Sequence, residues 1–299
     1  MRPVPGTEHQ LLRASAPLAW QRAPAHCARS GADGAGSCAW YHRPWPLLRL
    51  LGVVSSAALH AALLGPALSA AARAGARRVL VCGSADFALP ALVHAAYAQA
   101  RQVPELCVLD RCRTPLLLCE WYAERCGHAL ETRHADILAL PVTGAFDLIC
   151  THAFLGYFDR AARAALLARW HALLCPGGMV VTTQRLRPLG DGRPLGFAAA
   201  QRAAFVAAAR AARAVLDGAD AAALDGIDAA VVAAAADDFA ARFVSYPAGD
   251  AAALAASFTA AGFVLDTFAV IDGPAPAAGA SAPSVPGAGA YAHIVARRA

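Results

Sequence analysis

The spacing of apolar and polar positions changes character near residue 77. From there, short runs of four or five mostly apolar residues recur: RVLVC at 78–82, LCVL at 106–109, FDLIC at 146–150 and MVVTT at 179–183, with the more polar LETRH at 130–134 as a candidate third strand. Between them lie stretches with helical spacing, at 89–101, 115–126 and 160–174. Strands this short and this continuously apolar predict a parallel sheet covered by helices on both faces. Residues 185–245 interrupt the rhythm with two alanine-rich helical stretches, 197–216 and 229–243. The pattern then resumes with a helix at 250–261 and a strand at 263–271. A Pro/Ala/Gly/Ser stretch at 273–289 reads as a flexible loop, and YAHIVAR at 291–297 as a last strand. On the N-terminal side, 46–75 has helical spacing, with a break expected at Gly65–Pro66. Residues 1–45 show no sustained period. They predict a poorly ordered arm with one short helix at 8–14, docked at its end by Trp40, Tyr41 and Trp45. The predicted division is therefore an arm (1–45), a helical segment (46–75) and one α/β domain (76–299) carrying a helical insertion (185–245).

Composition supports a packed domain, because hydrophobic residues make up 58% of the 299 and charged residues only 16%. The chain has no lysine; its net charge of +5 comes from arginines scattered without a basic stripe, so no nucleic-acid partner is expected. The apolar stretch 47–68 is interrupted by Arg49, His60, Gly65 and Pro66, which argues against a membrane span. Residues 1–10 carry charge and proline and no apolar signal core. The nine cysteines include no CxxC pair, and an odd number makes a poor disulfide or zinc framework. They predict reduced thiols, a cytoplasmic chain and no metal site.

In a doubly wound sheet, ligands bind beyond the carboxyl ends of the strands. Gly83, Ser84, Ala85 and Asp86 follow the first strand, where glycine permits a tight turn and a close backbone approach. Asp110 and Arg111 follow the second; an acid here can accept hydrogen bonds from ribose hydroxyls, or cap the next helix. Asp136 and Ile137 follow the third strand, Thr151 and His152 the fourth.

These residues sit in motifs that resemble class I S-adenosylmethionine-dependent methyltransferases: VLVCGSAD, VLDRC, HADIL, FDLICTHAFLGYF and LLCPGGMVVTT. TAAGFVLDTFAV followed by YAHIVAR resembles the antiparallel hairpin that ends that family's sheet. The resemblance covers about 77–187 and 250–298. It implies a Rossmann-like, mostly parallel sheet, S-adenosylmethionine as cofactor and a small-molecule methyl acceptor. Under it, Gly83 approaches the methionine part of the cofactor, Asp110 the ribose, and Asp136 with Ile137 the adenine. The chain departs from the family's glycine loop. Val81 stands where an acid is usual, and Ala85 and Phe87 stand for the second and third glycines. Asp86 is the candidate replacement partner for the cofactor's ammonium group.

His152 is the candidate general base, with Thr151, Tyr157, His128 and His134 as weaker candidates. Arg185, Arg187 and Arg193 lie beyond the fifth strand, where they can hold an acidic acceptor group. Two other readings remain open: a non-catalytic cofactor-binding or interaction module with a degraded glycine loop, and a nicotinamide oxidoreductase. The second is disfavoured because GSADFAL lacks GxGxxG.

Overall fold

Seven strands form where the sequence alternates: β1 (Arg78–Cys82), β2 (Glu105–Asp110), β3 (Glu131–His134), β4 (Phe146–His152), β5 (Leu174–Arg185), β6 (Phe263–Asp272) and β7 (Ala290–Arg298). They make one sheet in the order β3-β2-β1-β4-β5-β7-β6. This computed structural model describes residues 7–27, 37–141, 143–187, 193–272 and 289–299. The first five strands are parallel. β7 runs antiparallel between β5 and β6, so the chain ends in the predicted hairpin. Val81 pairs with Val108 of β2 and Cys150 of β4, which aligns the carboxyl ends of the three central strands.

The helices are α1 (Glu8–His26), α2 (Ala39–His42), α3 (Trp45–Leu50), α4 (Ala61–Arg73), α5 (Ala88–Gln99), α6 (Arg113–Cys126), α7 (Arg160–Leu173), α8 (Ala199–Ala214), α9 (Gly218–Ala223), α10 (Ala229–Arg242) and α11 (Ala251–Ala260). One sheet face is covered by α4, α5 and α6 through Leu64, Leu68, Val93, Tyr97 and Leu116. The other is covered by α7 and α11 through Leu166, Trp170 and Phe258. A third cluster lies beyond the sheet. It joins Leu11, Leu12, Leu47 and Leu48 of the N-terminal helices to Phe205, Val232, Phe239 and Phe243 of the insertion, with Phe87 and Tyr122.

Two expectations are corrected. The 1–45 arm contains a 19-residue helix, with Thr7 and Gln10 forming a capping box. Leu12, Ala16, Ala19 and Ala23, on one helical face, are buried although Pro17 and Pro24 lie inside the helix. The break expected at Gly65–Pro66 does not occur: α4 runs through both residues, and burial of Leu64, Leu68 and Ala72 holds it. Residues 1–6 and 28–36 of the arm, and 273–288 of the expected loop, lie outside the described residues.

Candidate active site

The aligned strand ends open onto one cavity of about 690 Å³. Gly83, Ser84, Ala85 and Asp86 line it from the end of β1, Asp110 and Arg111 from β2, and His152 from β4. The N-terminal segment supplies Tyr41 and Trp45, and the insertion Phe239 and Phe243.

Gly83 adopts φ +66°, a left-handed conformation that favours glycine. A side chain there would also collide with the ring of Phe154, which covers that face of the residue. Phe87, at the position of the family's third glycine, points away from the loop into the core and stacks on Tyr122 with ring centroids 5.5 Å apart. Asp86 is not free for a ligand's ammonium group. Its buried carboxylate accepts from Arg49 at 2.5 Å, Trp45 Nε1 at 2.9 Å and the Ala88 amide at 2.8 Å. Arg49 also bonds Glu8 at 2.6 Å, so this ion pair ties α1 and α3 to the glycine turn. Asp110 accepts from the Cys112 amide at 2.8 Å. Loss of water lifts its carboxyl to about 6, against the opposing pull of His42.

Three sequence candidates do not reach the cavity wall. Asp136 caps the short turn at 137–139 by accepting from the Leu138 amide at 2.9 Å, and faces Arg111 at 3.5 Å. Ile137 is buried in the core. The Thr151 hydroxyl donates to the Cys82 carbonyl at 3.1 Å, locking β4 to β1. On that side the cavity is lined instead by Arg111, Cys112 and His134, and His134 Nε2 lies 3.0 Å from the Arg111 carbonyl oxygen.

His152 is held at Nδ1, 2.7 Å from the Thr183 hydroxyl. Its ring lies 4.7 Å from that of His60 and stacks on Tyr291 at 6.2 Å. Burial, then His60 and Arg49, push it down to about 3, so it stands neutral at physiological pH. Of the weaker candidates, Tyr157 lines the cavity, and its hydroxyl lies 2.7 Å from that of Tyr41. His128 stacks on His94 with ring centroids 4.1 Å apart, and neither lines the cavity.

Sequence reasoning missed the N-terminal half of the wall. Tyr41 packs on Trp45 at 5.2 Å and on Phe239 at 5.4 Å, and Trp45 lies 6.4 Å from Phe239, so the three rings form one aromatic cluster from two distant parts of the chain. Arg187 is 3% exposed, lines the cavity, and its Nη1 has no hydrogen-bond partner among the described residues. The nine cysteines are all free. The expected absence of a metal-ligand set is corrected: Cys27, Cys38, His42 and Cys112 converge beside the end of β2. The Cys38-x₃-His42 spacing on one helical turn was the available signal.

No family model matches the chain, and no curated protein is similar to it in sequence. Among solved structures it is similar to an S-adenosylmethionine-dependent methyltransferase from Mesorhizobium loti. The identity is 18% and the TM-score 0.46, covering 80% of this chain and 100% of that one. It is similar to the Burkholderia thailandensis 1,6-didemethyltoxoflavin-N1-methyltransferase at 17% identity and TM-score 0.45, covering 79% and 78%. A "possible exported protein" from Bordetella parapertussis gives 18% and 0.45; the match covers 78% of this chain and 66% of that chain, about two thirds of its length. The strand order and the reversed β7, rather than these distant likenesses, identify the architecture. The fold is that of class I methyltransferases. No helix among the described residues is long and apolar enough to cross a membrane.

Proposed function

We propose that this chain binds S-adenosylmethionine and transfers its methyl group to a small, flat, apolar acceptor carrying an acidic group. The observation that carries the reading is the convergence of three adjacent strand ends, with Gly83, Asp110 and His152, on one cavity with an aromatic wall. Its volume of about 690 Å³ falls within the range of small-molecule sites.

The residues fit the cofactor in part. Asp110 accepts from ribose hydroxyls, and the β1 turn offers its backbone to the methionine part. Asp86 is committed to Arg49, so it does not hold the ammonium group. The cofactor supplies an activated sulfonium methyl. The chain's own contribution is therefore mainly to orient an acceptor and exclude water. Tyr41, Trp45 and Phe239 stack a flat ring. Arg187, lowered by burial and then by Arg185 to about 10, remains a cation at neutral pH and pairs with an acidic group on the acceptor. Neutral His152 accepts a hydrogen bond from the acceptor's nucleophilic group; with a proton affinity this low it positions more than it deprotonates.

A second reading, a binding module without turnover, is favoured by one observation: the Phe154 ring over the open face of Gly83. Calorimetry against S-adenosylmethionine, S-adenosylhomocysteine and NAD tests the proposal, followed by assay of methyl transfer to a panel of aromatic acids. Binding of the first two and not NAD, with transfer, is expected. Binding without transfer to any acceptor supports the module. Failure of both adenosyl ligands to bind folded protein overturns the cofactor reading.

A further inference from the structure

Four side chains that the proposed methyl transfer does not use meet at the edge of the cavity. Cys27 follows the last residue of α1, Cys38 and His42 bracket α2, and Cys112 caps α6. Cys27, His42 and Cys112 are buried, and Cys38 is half-buried. The four atoms able to ligate a metal all lie within 4.8 Å of one another. The Cys112 sulfur is 3.6 Å from that of Cys27 and 3.5 Å from that of Cys38, and the Cys27 sulfur is 3.8 Å from His42 Nδ1.

A tetrahedral zinc ion with sulfur at about 2.3 Å and imidazole nitrogen at about 2.0–2.1 Å spaces its ligand atoms by roughly 3.5–3.8 Å. A disulfide requires about 2.05 Å between sulfurs and would leave the third cysteine and the histidine without a role. The surroundings also favour thiolate. The Thr114 amide donates to the Cys112 sulfur at 3.4 Å from the first turn of the 14-residue α6. The Thr114 hydroxyl lies 3.2 Å from the Cys27 sulfur, where it donates to a thiolate. We propose that Cys27, Cys38, His42 and Cys112 form a structural zinc site that fastens the N-terminal helices to the β2–α6 turn.

Four protein ligands close the coordination sphere, so the site is structural rather than catalytic. Binding takes three thiols and one neutral imidazole to three thiolates and one imidazole around Zn²⁺, releasing three protons and leaving a net charge of −1. Part of that charge is met by the amino end of α6. The site's placement gives it a consequence for the cavity. The Cys112 amide is the donor held by Asp110, and Cys38, His42 and Cys112 all line the cavity wall. Zinc would therefore hold the position of Asp110 and the placement of α2, which carries Tyr41. The inference does not depend on which cofactor or acceptor the cavity takes.

The test is metal analysis of the untagged protein purified under reducing conditions without chelator. One zinc per chain is expected. Replacement by Co²⁺ should give a thiolate-to-cobalt charge-transfer band in the near ultraviolet and the intense visible bands of a tetrahedral site. Cys112→Ser and the Cys27→Ser/Cys38→Ser double variant should lose the metal. Cys126→Ser, which removes a cysteine outside the cluster, should retain it. His42→Cys should also retain it, with a shifted cobalt spectrum, so the result does not rest on variants that fail to fold. The proposal is overturned by any of three results. One is folded wild-type protein that takes up no zinc when it is supplied. Another is zinc kept at full stoichiometry in the double variant. The third is mass spectrometry showing a Cys38–Cys112 or Cys27–Cys112 disulfide in the protein as isolated.

Discussion

Asp110 is the single side chain on which the cofactor reading leans hardest. It is partly buried, faces the cavity, and makes one hydrogen bond, to the Cys112 amide, leaving lone pairs for a ligand. Asp110→Ala should weaken S-adenosylhomocysteine binding by at least about tenfold, ~1.4 kcal/mol. Unchanged affinity by calorimetry in a folded variant would remove Asp110 from the site. The histidines give a second prediction at this scale. Burial holds His60 and His94 at about 4 and His152 at about 3. His60 is fully enclosed, faces His152, His293 and Tyr291, and neither of its ring nitrogens has a partner among the described residues. The unfolded chain protonates these groups below about pH 6.5, whereas the folded chain does so only near 3–4. The unfolded state therefore binds more protons in that window, and stability falls as pH drops through it; above about 6.5 the three groups contribute no slope. Asp110, lifted to about 6, acts with the opposite sign and offsets one of the three. Thermal unfolding between pH 7.5 and 4.5 should show a falling midpoint, and His60→Phe should make the fall shallower. An equally steep fall in that variant would refute the assignment to His60.

Among the elements, α1 has the largest consequence that the sequence concealed. Strands β1 and β2 were legible because each is a run of adjacent apolar residues that leads into Gly or Asp: Val79, Leu80 and Val81 before Gly83, and Val108 and Leu109 before Asp110. The helix at 8–26 was not, because half of the residues it buries are alanine and two prolines lie inside it. What holds it is tertiary. Leu11 and Leu12 pack with α3, and Glu8 reaches Arg49, which in turn neutralises Asp86. The same reasoning separates the legible part of the cavity from the rest. Gly83, Asp110 and His152 occupy strand ends, which topology marks as ligand positions. Asp136, Ile137 and Thr151 occupy equivalent sequence positions, yet their local partners, the Leu138 amide, the core and the Cys82 carbonyl, claim them first. Residues 1–35, part of the arm that sequence alone reads as poorly ordered, should therefore matter. A chain beginning at Ser37 exposes Leu11's partners, leaves Arg49 without Glu8 and lacks Cys27. Its unfolding midpoint should fall by several degrees, the size expected for about 2 kcal/mol or more in a domain this large. A truncated chain as stable as the full one would show α1 to be merely attached.

At the scale of the molecule, the cavity has a floor and a cover of different origin. The floor is the sheet edge; the cover is the insertion together with α1–α3. The insertion leaves from β5 and returns to α11 through a narrow stem. Leu195 and Ser245 exchange hydrogen bonds at 2.9 and 3.0 Å, and the Arg187 amide reaches the Gly249 carbonyl at 3.0 Å. Its large apolar side chains pack mainly on the N-terminal helices and on Phe87 and Tyr122, not on the sheet. A segment joined by such a stem and few large side chains should open as a unit, with the sheet unaffected. Hydrogen exchange should be faster in α8–α10 than in β1, β4 and β5, and should slow when S-adenosylhomocysteine and an acceptor are bound. Exchange as slow as the sheet's, unchanged by ligand, would make the segment a fixed roof.

The same cover has a history each time the protein is made. His9 meets Asp220, 211 positions along the chain, and Tyr41 meets Tyr157, 116 positions along. Closing loops of that length is entropically costly and must await contacts that form nearer in sequence. On the ribosome the N-terminal helices emerge first, while α10, which carries Phe239, is still unsynthesised. Leu11, Leu47 and Leu48 therefore wait uncovered through most of translation, an apolar surface open to chaperones or to a neighbouring nascent chain until the last third of the protein arrives.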